Sequence, residues 1–264
     1  MFLTMETEMD LYLRQIALVA HKLEPAMTQL ESMFGTPVCY RDEGVAKFGL
    51  VNALSAIGSQ LIEVVAPTEN GTAAGRYLER RKGDGGYMII LQCPDRATQN
   101  ACENNAAELG IRIACQRDEG ESRIMQLHPA DTGGTFFEID HIHPFEPEGL
   151  WPPAGGNGWQ SKINITRATE ISAAELQSPN PVKLAERWAG IMGGALQDSL
   201  TGPVLPLTNG VIRFVKVEDN RGEGLSAIDI KAPGRTKAIF AARDHGLAAG
   251  SDHILWCGLR INLV

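Results

Sequence analysis

One order of elements recurs four times along this chain, and it limits the possible folds more than any other feature. In "LRQIALVAHKLEPAMTQLESMFG", residues 13 to 20 read as a strand. Leu23, Ala26, Met27, Leu30 and Phe34 then recur at helical spacing up to Gly35, placed as a C-terminal stop. Short strands follow in "KFGLVNALSAIG" and "QLIEVVAP". The order returns in "YMIILQCPDRATQNACENNAAELG", with Asp95 as N-cap and Gly110 closing the helix, followed by "SRIMQLHP" and "GTFFEID". In the third copy, Asn180-Pro181 is a cap with a first-turn proline, Leu184, Trp188 and Ile191 form the apolar stripe, and Gly193 ends it. The fourth, "LSAIDIKAPGRTKAIFAARDHG", runs to Gly246 and finishes with "ILWCGLRINLV". Each strand starts about 20 residues before the glycine that ends its helix, so the four are copies of one unit.

A doubly wound sheet also alternates strands and helices, but it would not place several short strands after each helix. It would also need a phosphate loop that opens a helix, whereas "GDGGYM" leads into a strand. The expectation is an α+β fold of four βαβββ units, paired into two cupped, half-barrel mixed sheets with helices on the outside. The Pro- and Gly-rich stretch "HPFEPEGLWPPAGGNGW" divides the chain into a first domain at 10–142, a linker at 143–159 and a second domain at 160–264.

Charge and cysteine usage narrow the function classes. Twenty-four basic residues stand against 32 acidic ones, and no Lys/Arg stretch is dense enough to track a phosphate backbone, which excludes nucleic acid as the expected partner. No apolar run approaches the roughly 18 residues of a membrane span, so no membrane partner is expected. "MFLTMETEMD" lacks the pattern of a signal peptide, so the expected location is cytoplasmic. The five cysteines never fall as Cys-x-x-Cys and read as reduced thiols, without a disulfide or zinc framework.

Strand alternation then selects candidate site residues. Gln15 shares a face with Ala17 and Val19, Glu63 with Leu61 and Val65, and Glu138 with Phe136 and Asp140. A polar residue planted on an apolar face suits a lined cavity; the plainer reading is an exposed or salt-bridged strand residue. Asn52 in "LVNAL" either orients a substrate oxygen in the same cavity or is a packing amide. His21 shares the face of Gln15 at its strand's end, as a rim proton shuttle or substrate contact, and Met88 reads as core. His141 and His143 in "DHIHP" have opposite parity to Glu138 and read as a surface pair at the linker's edge.

The stretch "FGLVNALSAIGSQLIEVVAP" resembles the strand-turn-strand of glyoxalase-like domains, and "LHPADTGGTFFEID" resembles the closing strand of methylmalonyl-CoA epimerases. With the βαβββ unit, the chain resembles the vicinal oxygen chelate superfamily, which includes glyoxalase-like and bleomycin-resistance-like proteins. Two paired domains also resemble the layout of extradiol dioxygenases. The resemblance implies metal ligands on the first and last strand of each unit, at Gln15, Glu63, Met88 and Glu138. This is similar to the Gln, Glu, His, Glu pattern of glyoxalase I except at Met88, where a thioether is a poor donor to a hard metal. The implied cofactor is one divalent ion (Zn, Ni, Mn, Mg or Fe) held by Gln15, Glu63 and Glu138, or none. In the second half the corresponding places fall near Ala173, Arg213, Ser226 and Asn262, a set without carboxylate or imidazole. No metal is expected there.

The function implied is a metal-assisted isomerase or lyase. It would act through an enolate on a small substrate with neighbouring oxygens, with Glu138 as base, Glu63 as its partner, and Asn52, His21 and Met88 against the substrate. The alternative is a metal-free protein that sequesters a small molecule. An extradiol-type dioxygenase is third, since a second suitably placed His is missing. The partners expected are a small-molecule substrate and, allowed for, a second copy of the chain in a homodimer.

Overall fold

The structure, a computed structural model, describes residues 10–264. The first half runs β1 (Tyr12–Val19), α1 (Leu23–Phe34), β2 (Val38–Tyr40), β3 (Leu50–Ile57), β4 (Gln60–Pro67) and α2 (Ala73–Arg81). It continues with β5 (Gly85–Cys93), α3 (Arg96–Glu108), β6 (Ile113–Asp118), β7 (Ser122–Leu127) and β8 (Phe136–Ile142). The second half runs β9 (Glu170–Ser178), α4 (Pro181–Met192), β10 (Gln197–Ser199), β11 (Gly202–Leu207), β12 (Gly210–Lys216) and β13 (Gly224–Lys231). It closes with α5 (Arg235–Asp244), β14 (His253–Trp256) and β15 (Leu259–Leu263). Local chemistry starts and stops these elements where the sequence indicates. Asp95 accepts from Thr98 N at 2.7 Å and Asn180 from Lys183 N at 3.1 Å, while Gly35, at φ 72°, returns its N–H to Glu31 O at 2.7 Å.

Each unit closes on itself by a parallel pairing of its first and last strands: β1 with β4, β5 with β8, β9 with β12, β13 with β15. The first strands of successive units pair antiparallel, β1 with β5 and β9 with β13. The result is two open mixed sheets of eight and seven strands; neither is a closed barrel. The fourth unit keeps two strands after its helix, and a single bridge between Ala249 and Ile254 stands where a third would pair. Helix α2 has no counterpart in the other half and was not expected from the sequence.

The helix-bearing faces of the two sheets share one continuous apolar core, in which residues of α1, α3, α4 and α5 are buried together. Trp188 of α4 stacks on Phe137 of β8 at 4.0 Å between ring centroids and meets Phe214 of β12 edge-on at 6.1 Å. The buried Gln60 amide bridges the halves as well, donating to Ile171 O at 2.8 Å and accepting from Ile171 N at 2.7 Å.

The opposite face of the first sheet forms a cup with its own apolar cluster. Ala74, Tyr77 and Leu78 of α2 pack into it, and so do Trp151, Ala154 and Trp159. The stretch 143–159, which reads as a spacer, therefore lies across the first cup and fills part of it. The matching face of the second sheet is open by comparison. Its floor is an ion network: Arg213 to Asp229 at 2.5 and 2.7 Å, Arg213 to Glu175 at 3.3 Å, Arg260 to Glu175 at 2.7 Å.

Candidate functional site

Glu63 is buried on β4, beside β1 in parallel register, and neutral amides engage both of its carboxylate oxygens. Gln15 Nε2 donates to Oε2 at 2.8 Å and Asn52 Nδ2 to Oε1 at 2.6 Å. Asn52 is held in turn by the Asp42 N–H, which donates to its Oδ1 at 2.8 Å. Gln15 Oε1 accepts from Trp151 Nε1 at 2.9 Å. Burial raises the Glu63 pKa, and the Asn52 and Gln15 bonds offset part of that rise. Three of the sequence-selected residues thus meet, joined by a tryptophan that the sequence did not flag.

Glu138 lies on the same cup, across β5 from this cluster, beside Ile90 on one strand and Gln126 on the other. Asp140 follows two residues on and faces the same way. Both are buried. Among the described residues no well-formed hydrogen bond reaches Glu138 Oε2 or either Asp140 oxygen; the Gln126 amide makes only a looser approach to Glu138 and the Met125 N–H to Asp140. Burial pushes Glu138 up to about 7, although hydrogen bonding from Asp140 and Gln126 works the other way and the Glu63 charge adds to the rise. Burial likewise raises Asp140 well above the usual carboxylate range, and the adjacent Glu138 charge raises it further. Two buried carboxyls side by side disfavour being ionised together, so one proton held between them is the expected state near neutral pH.

The other candidates fall in different places. Met88 is buried with the apolar lining of the cup. His21 does not join the set: its ring is largely exposed, and Nδ1 lies 2.7 Å from Asp84 Oδ1 on the outside of the cup. His141 corrects the surface-pair expectation, because it is buried on the helix side of β8 with Nδ1 unpartnered. Desolvation lowers its pKa. In the second cup Ala173, Arg213, Ser226 and Asn262 lie with two carboxylates that the sequence reading missed, Glu175 and Asp229. Both are bound by arginines.

A divalent metal at Gln15, Glu63 and Glu138 would need their oxygens free to converge. Gln15 Oε1 is instead turned to an indole N–H, both Glu63 oxygens are taken by amides, and Met88 offers only a thioether. Among the described residues, no three His, Cys, Asp or Glu side chains converge. This donor set does not fit a hard metal ion.

Two open mixed sheets of paired βαβββ units, each presenting a cup, define the vicinal oxygen chelate fold, and this chain has it. Among solved structures, the chain is similar to a triple mutant of 4-hydroxymandelate synthase from Streptomyces coelicolor, with a TM-score of 0.63 and 14% identity over 91% of this chain and 76% of that one. It is also similar to methylmalonyl-CoA epimerase from Streptomyces coelicolor, with a TM-score of 0.44 and 21% identity over 52% of this chain and 98% of that one. At these identities the likeness is one of fold. No protein-family profile and no curated protein matches the chain by sequence.

Proposed function

We propose that the first cup moves a proton to and from a carbon atom of a small carbonyl compound, as an isomerase or lyase would, with Glu138 as the base. The observation that carries this reading is the Glu138–Asp140 pair: two buried carboxyls on one strand face, with three oxygens that lack a well-formed hydrogen bond. In the step proposed, the substrate's α-C–H bond breaks and the proton passes to Glu138. The electron pair enters the carbonyl as an enolate, and the proton of Asp140 offers the developing oxyanion a hydrogen bond. Delivery of that proton by Glu138 to a second carbon on the same face of a conjugated enolate completes an isomerase cycle; expulsion of a β-substituent that takes the proton from Glu138 completes a lyase cycle. Glu138, raised to about 7, is poised for such exchange near neutral pH. Gln15 and Asn52 act by holding Glu63, whose charge contributes to that rise.

The test is exchange of α-protons into D2O with acetone, 2-oxobutyrate and a simple acetyl thioester as probes, followed by NMR. Glu138→Gln keeps the shape of the side chain but removes the basic oxygen. It should lower the exchange rate at least 100-fold, the scale of a positioned general base. Exchange unchanged in this variant would assign the base elsewhere. No exchange in the parent protein with any probe would favour the sequestering reading, which the apolar lining around Met88 and Ile90 also suits.

A further inference from the structure

The first cup contains a buried cation with no contact ion pair. Arg14 is buried, yet no carboxylate lies within ion-pair distance of it among the described residues; the Glu148 charge acts on it only from farther off, and burial outweighs it. Its guanidinium donates to Gln92 Oε1 at 3.0 Å and to the carbonyls of Glu146 and Gly149 at 2.8 and 3.4 Å. It also lies 4.7 Å from the Trp151 ring centroid and 5.9 Å from that of Trp159. Such a cation is costly to bury without a counter-charge.

Its own Nε has no acceptor, and neither do two neighbouring N–H donors, Gln92 Nε2 and Trp159 Nε1. Gln92 is in register with Asp140 across the β5–β8 pairing, so this group borders the acid pair. One positive charge and three unused donors make the chemistry of a carboxylate receptor.

We propose that Arg14, Gln92 and Trp159 form a carboxylate subsite in the first cup, at the seam between the 143–159 segment and the sheet. The inference rests on the proton-transfer reading and narrows its substrate to a short organic acid. Glu138 lies one strand repeat beyond the Asp140 that faces Gln92, about 7 Å along β8. A bound acid with a carbonyl two or three bonds from its carboxylate would therefore bring its acidic carbon to Glu138. A keto acid of three to five carbons fits that span.

The four tryptophans supply the test. Trp151, Trp188 and Trp256 each donate to an internal oxygen, and Trp159 alone does not. Acetate and propionate are titrated into the 15N-labelled full chain and the indole N–H signals followed, with acetamide and chloride as controls. The expected result is a saturable downfield shift of one indole signal, missing in Trp159→Phe, while the Trp188 and Trp256 signals stay in place. Calorimetry should show propionate binding at least tenfold weaker in Trp159→Phe. That variant should still fold and melt close to the parent, because removing a buried donor that has no partner offsets part of the cost of the smaller ring. No indole shift with carboxylate up to about 100 mM, an equal shift with acetamide or chloride, or unchanged affinity in Trp159→Phe would each overturn the subsite. Binding and exchange fail separately. Glu138→Gln should still bind propionate, so carboxylate binding without exchange removes only the base assignment, and exchange without carboxylate binding removes only the subsite.

Discussion

Asp140→Asn should stabilise the protein at pH 8 by about 2 kcal/mol while leaving it nearly unchanged at pH 4.5. In the unfolded chain, Asp and Glu titrate near 3.9 and 4.3. In the folded protein burial raises both members of the pair, Glu138 to about 7 and Asp140 well above its usual range. Between about pH 4 and 7 the folded state therefore holds protons that the unfolded state has released, and stability falls as pH rises through that window. Each unit of such a shift is about 1.4 kcal/mol, so the pair costs a few kcal/mol at neutral pH. An asparagine at 140 cannot ionise, keeps the shape, and still donates to Glu138. Carboxylates with lowered pKa, such as Asp131 held by Arg112, act in the opposite sense and only when the pH falls below about 4. Urea unfolding at pH 4.5, 6 and 8 measures the difference. Parallel pH profiles for parent and variant would show that the two carboxyls do not share a proton.

Trp188→Ala should destabilise the whole molecule by about 3–5 kcal/mol and should do so in a single transition. The side chain is fully buried, stacks on Phe137 from the first half, touches Phe214 from the second, and donates to Thr132 O at 3.2 Å. Truncation leaves a cavity between the halves and strips Thr132 of a donor. Because one apolar core runs through both sheets, the loss should reach both. Tryptophan fluorescence, weighted toward Trp151 and Trp159 in the first cup, and far-UV circular dichroism should shift their midpoints together. Two separated transitions would mean that the halves fold independently, as the division at 143–159 by sequence would have it.

The parts of this protein that the sequence determined by itself are those governed by short-range periodicity. Four strand-helix-glycine units, their caps at Asp95 and Asn180, and the left-handed stop at Gly35 follow from side-chain spacing and backbone sterics. The inward faces of Gln15, Glu63 and Glu138 are set by strand alternation in the same way, and so is the pairing of Glu138 with Asp140 on one face. Tertiary structure decided what those faces meet. Ala74, Tyr77 and Leu78 form too short a stripe in "TAAGRYLERRKG" to mark α2, which is buried only because a cup is there to receive it. Trp151 and Trp159 sit in a Pro- and Gly-rich stretch with the local composition of a spacer, and no local rule says which surface an indole will cover. Parity itself fails on β1. A register shift between Leu13 and Gln15 lets the consecutive residues Arg14 and Gln15 both reach Trp151, one by its charge against the ring and the other by a hydrogen bond to Nε1. Long-range packing turned the expected metal cup into an amide-braced carboxylate site, because the indole that takes the Gln15 oxygen arrives from 136 residues away.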